Sequence, residues 1–184
     1  VERRTFVAGA LALAAAPRSA RAAQERRLAI LAAPGDGVSQ GDIDRFVARL
    51  GGAVLRKPGY TLVSRARLSA VLAEQGLSNS AYADPATAAR LGKLIGASAI
   101  LHVSLAIEVE GQRGGFVDRQ TVDASSTYEL ITVTTAQITA NGSADGSEER
   151  RAAAGGAASE SFAVLRRRAV DACADDLVEQ LNLR

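Results

Sequence analysis

Residues 84–109, DPATAARLGKLIGASAILHVSLAIEV, decide the fold. Asp84 before Pro85 marks a helix start. A short acid suits the N-cap, where its carboxylate accepts first-turn amides, and proline suits the first turn, where no amide donor is needed. Ala88, Leu91, Leu94 and Ile95 recur at helical spacing. Gly96 fits the stop after Ile95, and Ala97 carries the chain into the next element. From Ser98 to Val109 the period changes to two. Leu101, Val103, Leu105, Ile107 and Val109 take one face of a strand; Ile100, His102, Ser104, Ala106 and Glu108 take the other, wetter one.

Upstream, Arg27 to Ala33 reads as a first strand, ended by Pro34-Gly35-Asp36-Gly37. A helix follows over Asp42 to Leu50, with Ile43, Phe46, Val47 and Leu50 on one face and Gly51-Gly52 as its stop. Tyr60 to Val63 is a second strand, Arg67 to Glu74 a helix, and Ser78 to Ala83 a polar loop. Downstream, Glu110 to Ser126 reads as a polar loop and Tyr128 to Ala140 as a threonine-rich strand. Asn141-Gly142 opens a turn that runs through Asp145-Gly146, and Ser147 to Ala154 returns as a paired strand. Gly155-Gly156 is a hinge before a long helix, Ser159 to Leu181. The order β-α-β-α-α-β-β-β-α predicts a single α/β domain, a mixed sheet flanked by helices.

The middle of the chain resembles a known family. Gly59-Tyr60-Thr61-Leu62-Val63-Ser64-Arg65, followed by Leu68, Leu72 and Glu74-Gln75, is similar to a block of the curli secretion channel (CsgG-like) family. There an aromatic-containing strand ends in an arginine and leads into a helix ending in Glu-Gln. Ala88 to Leu101 resembles the family's next helix, its Gly-Ala corner and the following strand. The likeness extends to related periplasmic domains, the TolB amino-terminal domain and lipoprotein activators of penicillin-binding proteins. It implies a periplasmic α/β domain from residue 23 to 184, with Arg65, Glu74, Gln75, Gly92, Gly96 and Ala97 as structural motif residues. Gly92 and Gly96, four apart, would let a neighbour approach the helix closely. Arg65 would tie its corner to backbone carbonyls or an acid.

The departures restrict what carries over. The channel proteins are lipoproteins with membrane-spanning hairpins. Here no lipid-accepting cysteine follows the front segment, and Gln112 to Thr127, with Arg113, Asp118, Arg119 and Asp123, does not supply spanning strands of about ten alternating residues. Ser64 and Ser98 stand where the family often has acids, and His102 where it often has glycine. The expectation is the domain without the pore.

The front reads as an export signal over residues 1–22. Arg3-Arg4 precede an apolar run from Phe6 to Ala16, Pro17 breaks it, and Ala20-Arg21-Ala22 is an A-x-A cleavage site. The paired arginines resemble the twin-arginine type. Eleven apolar residues are short of the roughly 20 a spanning helix needs. The expected location is therefore the periplasm, soluble after cleavage. Four of the 22 basic residues and one of the 20 acids lie in residues 1–22, which leaves 18 against 19, a net of −1. That balance does not predict nucleic-acid binding. Aromatics make up 4% of the chain and tryptophan is absent, which argues against a site of stacking rings.

The inventory for catalysis is thin. There is one histidine, His102, and one cysteine, Cys173, so no metal cluster follows from spacing. His102 shares a strand face with Ser104 and Glu108, the best available decoy for a hydrolase. Gly35, Gly37 and Gly41 imitate a dinucleotide loop, but Ser64-Arg65 stands where the acid belongs, and the glycines read as a turn. Cys173 lies on a helical stripe with Phe162, Leu165, Ala169, Leu177 and Leu181, a core position. Arg166, Arg167 and Arg168 fan around that helix as a solvated face or a surface for an acidic partner.

These readings predict a non-enzymatic periplasmic adaptor or assembly domain, without cofactor or metal, that acts by contact with an envelope protein. Other readings are an activator of a peptidoglycan synthase, a small-ligand module near Gly35 to Gly41, and a hydrolase using His102. Self-association stays open.

Overall fold

The computed structural model describes residues 26–76, 84–112, 117–153 and 161–181. The elements follow the predicted order: β1 Arg26–Pro34, α1 Gln40–Leu55, β2 Tyr60–Leu62, α2 Arg65–Glu74, α3 Pro85–Ile95, β3 Ala99–Gln112, β4 Val117–Thr132, β5 Gln137–Ala153 and α4 Phe162–Gln180. They build one five-stranded sheet in the order β2-β1-β3-β4-β5. The first three strands are parallel. The last three form an antiparallel meander. The export signal, the loop at Ser78 to Ala83 and the Gly155-Gly156 hinge lie outside the described residues.

Two apolar clusters sit on the two faces of the sheet. One joins Leu28, Leu101, Val103 and Leu105 to Phe46 and Leu50 of α1 and to Leu165, Ala169, Cys173 and Leu177 of α4. The other joins Ala29, Leu31 and Ile100 to Leu68 of α2 and to Ala88, Leu91 and Ile95 of α3. The alternation of Ser98 to Val109 holds in its middle, where Leu101, Val103 and Leu105 have no exposed surface and His102, Ser104 and Ala106 are half-buried. It does not hold at its ends: Ile100, expected on the wetter face, is fully buried with α3 in the second cluster, and Val109, expected inward, is 43% exposed.

The α3 corner is built as its sequence predicts. Asp84 accepts the Thr87 amide at 2.9 Å, with Pro85 in the first turn. Gly96 closes the helix in the left-handed region, φ 71°, and the Ala97 amide donates to the Gly92 carbonyl at 2.8 Å. Gly92 and Gly96 are needed for different reasons. A β-carbon on Gly92 would lie 2.3 Å from a methyl of Val133, whereas one on Gly96 would meet nothing nearer than the Arg27 guanidinium at 3.7 Å. Gly92 serves close approach and Gly96 serves the backbone angle.

Three boundaries differ from expectation. Gly51-Gly52 does not stop α1, which runs on to Leu55. Each glycine costs the helix roughly 0.5–1 kcal/mol relative to alanine, but full burial of Val54 contributes about 1.5–3 kcal/mol. Gly51 is moreover packed against Leu62 of β2. Glu110 to Ser126 is not a loop: its described residues belong to β3 and β4. Val122 and Ala124 alternate inward there, with Thr121, Asp123 and Ser125 between them. Asn141 to Gly146 is not a turn but the middle of β5, paired with Glu129 to Ala124. The chain reverses instead at Val133 to Ala136, where Ala136 adopts φ 55° and its amide donates to the Thr132 carbonyl at 2.9 Å.

Candidate functional site

α4 covers one face of the meander, and small residues let it do so. Ala140, Gly142, Ala144 and Gly146 of β5 share the side that α4 covers. A β-carbon on Gly146 would stand 2.3 Å from the Ala169 carbonyl oxygen and 2.4 Å from the Cys173 amide nitrogen. The Tyr128 ring lies over Gly142, its cross-strand partner. Cys173 is fully buried, with its sulfur 3.3 Å from both the Ser126 hydroxyl and the Ala144 carbonyl. Burial pushes the thiol up to about 11, so it stays protonated and unreactive at neutral pH. The core reading of Cys173 is correct.

The opposite face of the meander is polar. Three cross-strand rows run over it: His102, Glu129 and Asn141; Ser104, Thr127 and Ser143; Ala106, Ser125 and Asp145. Glu108 and Asp123 face each other in the next row, beside Ser147. Like charges set directly opposite repel. Arg119 and Arg151 both pair with Glu149 at the far end of this face. A shallow concavity of about 520 Å³ opens over its near end, lined by His102, Thr127, Glu129, Asn141 and Ser143 among others. Burial lowers the pKa of His102, against the opposing pull of Glu129, and so favours the neutral ring. Glu108 lies six residues along the strand from His102, about 20 Å away at 3.3 Å per residue, too far for a triad.

The basic run near the start of α4 divides. Arg166 is not part of a free surface. Its guanidinium donates to the Asp42 carboxylate at 2.6, 3.0 and 3.2 Å and to the Gly37 carbonyl at 2.5 Å. Asp42 also closes a capping box with Ser39 at the start of α1. Burial alone would raise the Asp42 pKa; hydrogen bonds from Arg166 and Ser39 outweigh it and hold the carboxyl at about 2. Two further pairs join the same helices, Arg45 to Asp171 and Arg49 to Asp175. Sequence reasoning missed this ladder, although Arg45/Arg49 and Asp171/Asp175 share a spacing of four. Arg167 and Arg168 are exposed.

The remaining motif residues are architectural. Arg65, at the start of α2, donates to Asp44 of α1 at 2.7 Å, the acid its corner was expected to meet. Glu74 ends α2 and Gln75 caps it. The glycine loop after β1 is pressed against β3. The Gly35 amide donates to the Leu105 carbonyl at 2.7 Å, and the Ile107 amide donates to the Asp36 carbonyl at 3.0 Å. A β-carbon on Gly35 or Gly37 would collide with β3 carbonyl oxygens at 2.8 and 2.2 Å. These contacts account for both glycines, and the adjoining helix start already holds the Asp42 carboxylate. The glycines of this loop are thus explained by close packing against β3. Among the described residues no group of three histidine, cysteine or acidic side chains is placed to hold a metal ion.

Fold and surface together define a single α/β domain with a packed five-stranded sheet whose meander carries one polar face. The chain belongs to the family described as curli production assembly/transport component CsgG, which it matches over residues 32–183. No curated protein matches it. Among solved structures it is similar to lipoprotein GNA1162 from Neisseria meningitidis, at 18% identity over 73% of this chain and 87% of that one, TM-score 0.47. It is similar to the LpoB C-terminal domain from Escherichia coli at 20% identity, over 66% and 82% of the two chains, TM-score 0.45. A minor lipoprotein from Acinetobacter baumannii matches at 10% identity over 85% and 92%, TM-score 0.49.

Proposed function

We propose that this chain is an exported, non-enzymatic domain of the cell envelope that acts by protein contact, as an adaptor in assembly or secretion. The observation that carries the reading is membership of the CsgG family across residues 32–183. The surface supports it. His102, through which any imidazole mechanism must pass, faces an open sheet with Glu108 far along the strand. Cys173 is a buried thiol. No helix among the described residues is long and apolar enough to cross a membrane. The segment from Arg3-Arg4 to Ala20 and Ala22 supplies export to the periplasm, by the twin-arginine route. The contact surface includes the exposed Arg167 and Arg168.

The test is complementation of a strain lacking the protein. His102→Gln should fold, be exported and restore the envelope phenotype. Arg167→Glu should fold and restore it less well. A well-folded His102→Gln chain without function, beside a fully active Arg167→Glu chain, reverses the reading in favour of a hydrolase.

A further inference from the structure

β5 is an edge strand of 17 residues, and its two halves are treated differently. Natural sheets blunt a free edge with charge, proline, bulges or a covering group, because unpaired main-chain groups invite another strand. The second half is guarded in this way. Glu148, Glu149, Arg150 and Arg151 crowd it, and the Asp145 amide donates to the Asp176 carboxylate of α4 at 3.0 Å. From Gln137 to Ala144 there is no charge and no proline, and Ile138 is 42% exposed.

The Asp145 bond also fixes the geometry. In an antiparallel strand, alternate residues turn both N–H and C=O toward the same neighbour. Asp145 turns its amide away from β4, and the register is unbroken from Asn141 to Asp145, so Asn141 and Ser143 turn theirs to the open edge as well. Their side chains lie on the polar face, in the rows of Glu129 and Thr127. An added strand would lie about 4.8 Å outside β5 and about 10 Å from β4. Lysine or arginine beside Asn141 reaches Glu129 across that gap, and one beside Asp145 meets its carboxylate directly.

We propose that the Gln137–Ala144 edge of β5 accepts an extended segment of another protein, one that carries basic side chains on the face toward Glu129 and Asp145. The proposal deepens the contact reading above and rests on it. A second copy of this chain, pairing β5 with itself, is the poorer occupant, because its own Gln137–Ala144 segment carries no basic side chain to answer Glu129 and Asp145.

The probe is an acetylated, amidated seven-residue peptide that alternates lysine with threonine and valine, titrated against the full chain by NMR. The expected result is at least tenfold slower amide exchange at Asn141 and Ser143. Binding should be at least tenfold tighter than for the same peptide with glutamate in place of lysine. Methylation of alternate peptide amides should abolish it. Ser143→Pro removes an amide that β4 does not use; it should keep the fold and lose the peptide. Failure of the lysine peptide to bind overturns the proposal. So does equal binding of the methylated or glutamate peptide, or a concentration-dependent dimer that Ser143→Pro abolishes. A folded Ser143→Pro chain with full envelope function also overturns it while leaving the adaptor reading intact, since that reading is tested at His102.

Discussion

The two halves of the sheet solve the burial problem differently. The parallel half, β2, β1 and the start of β3, has helices on both faces, and its strands read as apolar runs: Leu28 to Leu31 are all buried. The meander of β3, β4 and β5 has α4 on one side and, on the other, only α3 at its near end over Ile100 and Ile131; beyond them it alternates small or apolar residues with polar ones. The parallel half is specified by side chains that fill space. The meander is specified as much by side chains that are missing, because α4 rests on Ala144 and Gly146 and the Tyr128 ring rests on Gly142.

The largest expected effect tests that difference at Gly146. Its missing β-carbon faces backbone, the Ala169 carbonyl and the Cys173 amide, which no rotamer change relieves. Gly146→Val should destabilise the domain by at least about 3 kcal/mol, the upper range for overpacking, and should free Cys173 for thiol reagents in the native buffer. Denaturant unfolding and thiol titration read both. A loss within about 0.5 kcal/mol, the surface-mutation range, would show that α4 does not rest on β5 there.

Next in size is the clasp between α1 and α4. The Asp42 side chain is 11% exposed with Arg166 beside it, and Arg166→Ala leaves its carboxylate with only Ser39 to answer it. The expected cost is about 2 kcal/mol, that of stranding a mostly buried charged acceptor. The pH dependence has a definite sign. Asp42 is held at about 2 in the folded chain against 3.8 unfolded, so the unfolded chain binds more protons in that interval. The contribution is therefore present above about pH 4 and lost as pH falls toward 2. In Arg166→Ala that acid-dependent loss should shrink, and combining it with Asp42→Asn should cost less than the two changes summed. Strict additivity would mean the clasp carries no coupling.

The same contrast explains what the sequence disclosed. The parallel half announces itself through Asp84-Pro85, the apolar faces of α1 and α3, the Gly96 stop and the strict alternation after Ser98. The element order and the CsgG likeness follow from those residues. The meander gives weaker signals. Its real turn, Val133-Thr134-Thr135-Ala136, has none of the usual turn residues, and Ala136 adopts a positive φ without glycine or asparagine. Asn141-Gly142 and Asp145-Gly146, strong turn pairs by composition, are held extended because β4 pairs with them and α4 and the Tyr128 ring occupy the space above their glycines. Arg166 was legible as a cation but not as a clasp, since Asp42 lies 124 residues earlier in the chain. The edge of β5 is not legible in the sequence, because Asn141-Gly142 and Asp145-Gly146 give its centre the composition of a turn.

The smallest of the three effects belongs to the parallel half and sharpens the comparison from the other side. Gly96 sits at φ 71°, and a β-carbon there would make only an ordinary contact with the Arg27 guanidinium at 3.7 Å. Gly96→Val should therefore cost only backbone strain, roughly 1–2 kcal/mol for a side-chain-bearing residue forced left-handed. Gly96→Asn should recover part of it, because asparagine tolerates that region. Thermal unfolding of the two variants beside Gly146→Val separates a glycine needed for its angle from one needed for its missing side chain. If valine and asparagine were equally costly at Gly96, the penalty would come from crowding against Arg27, and the corner would be a packing site like Gly146.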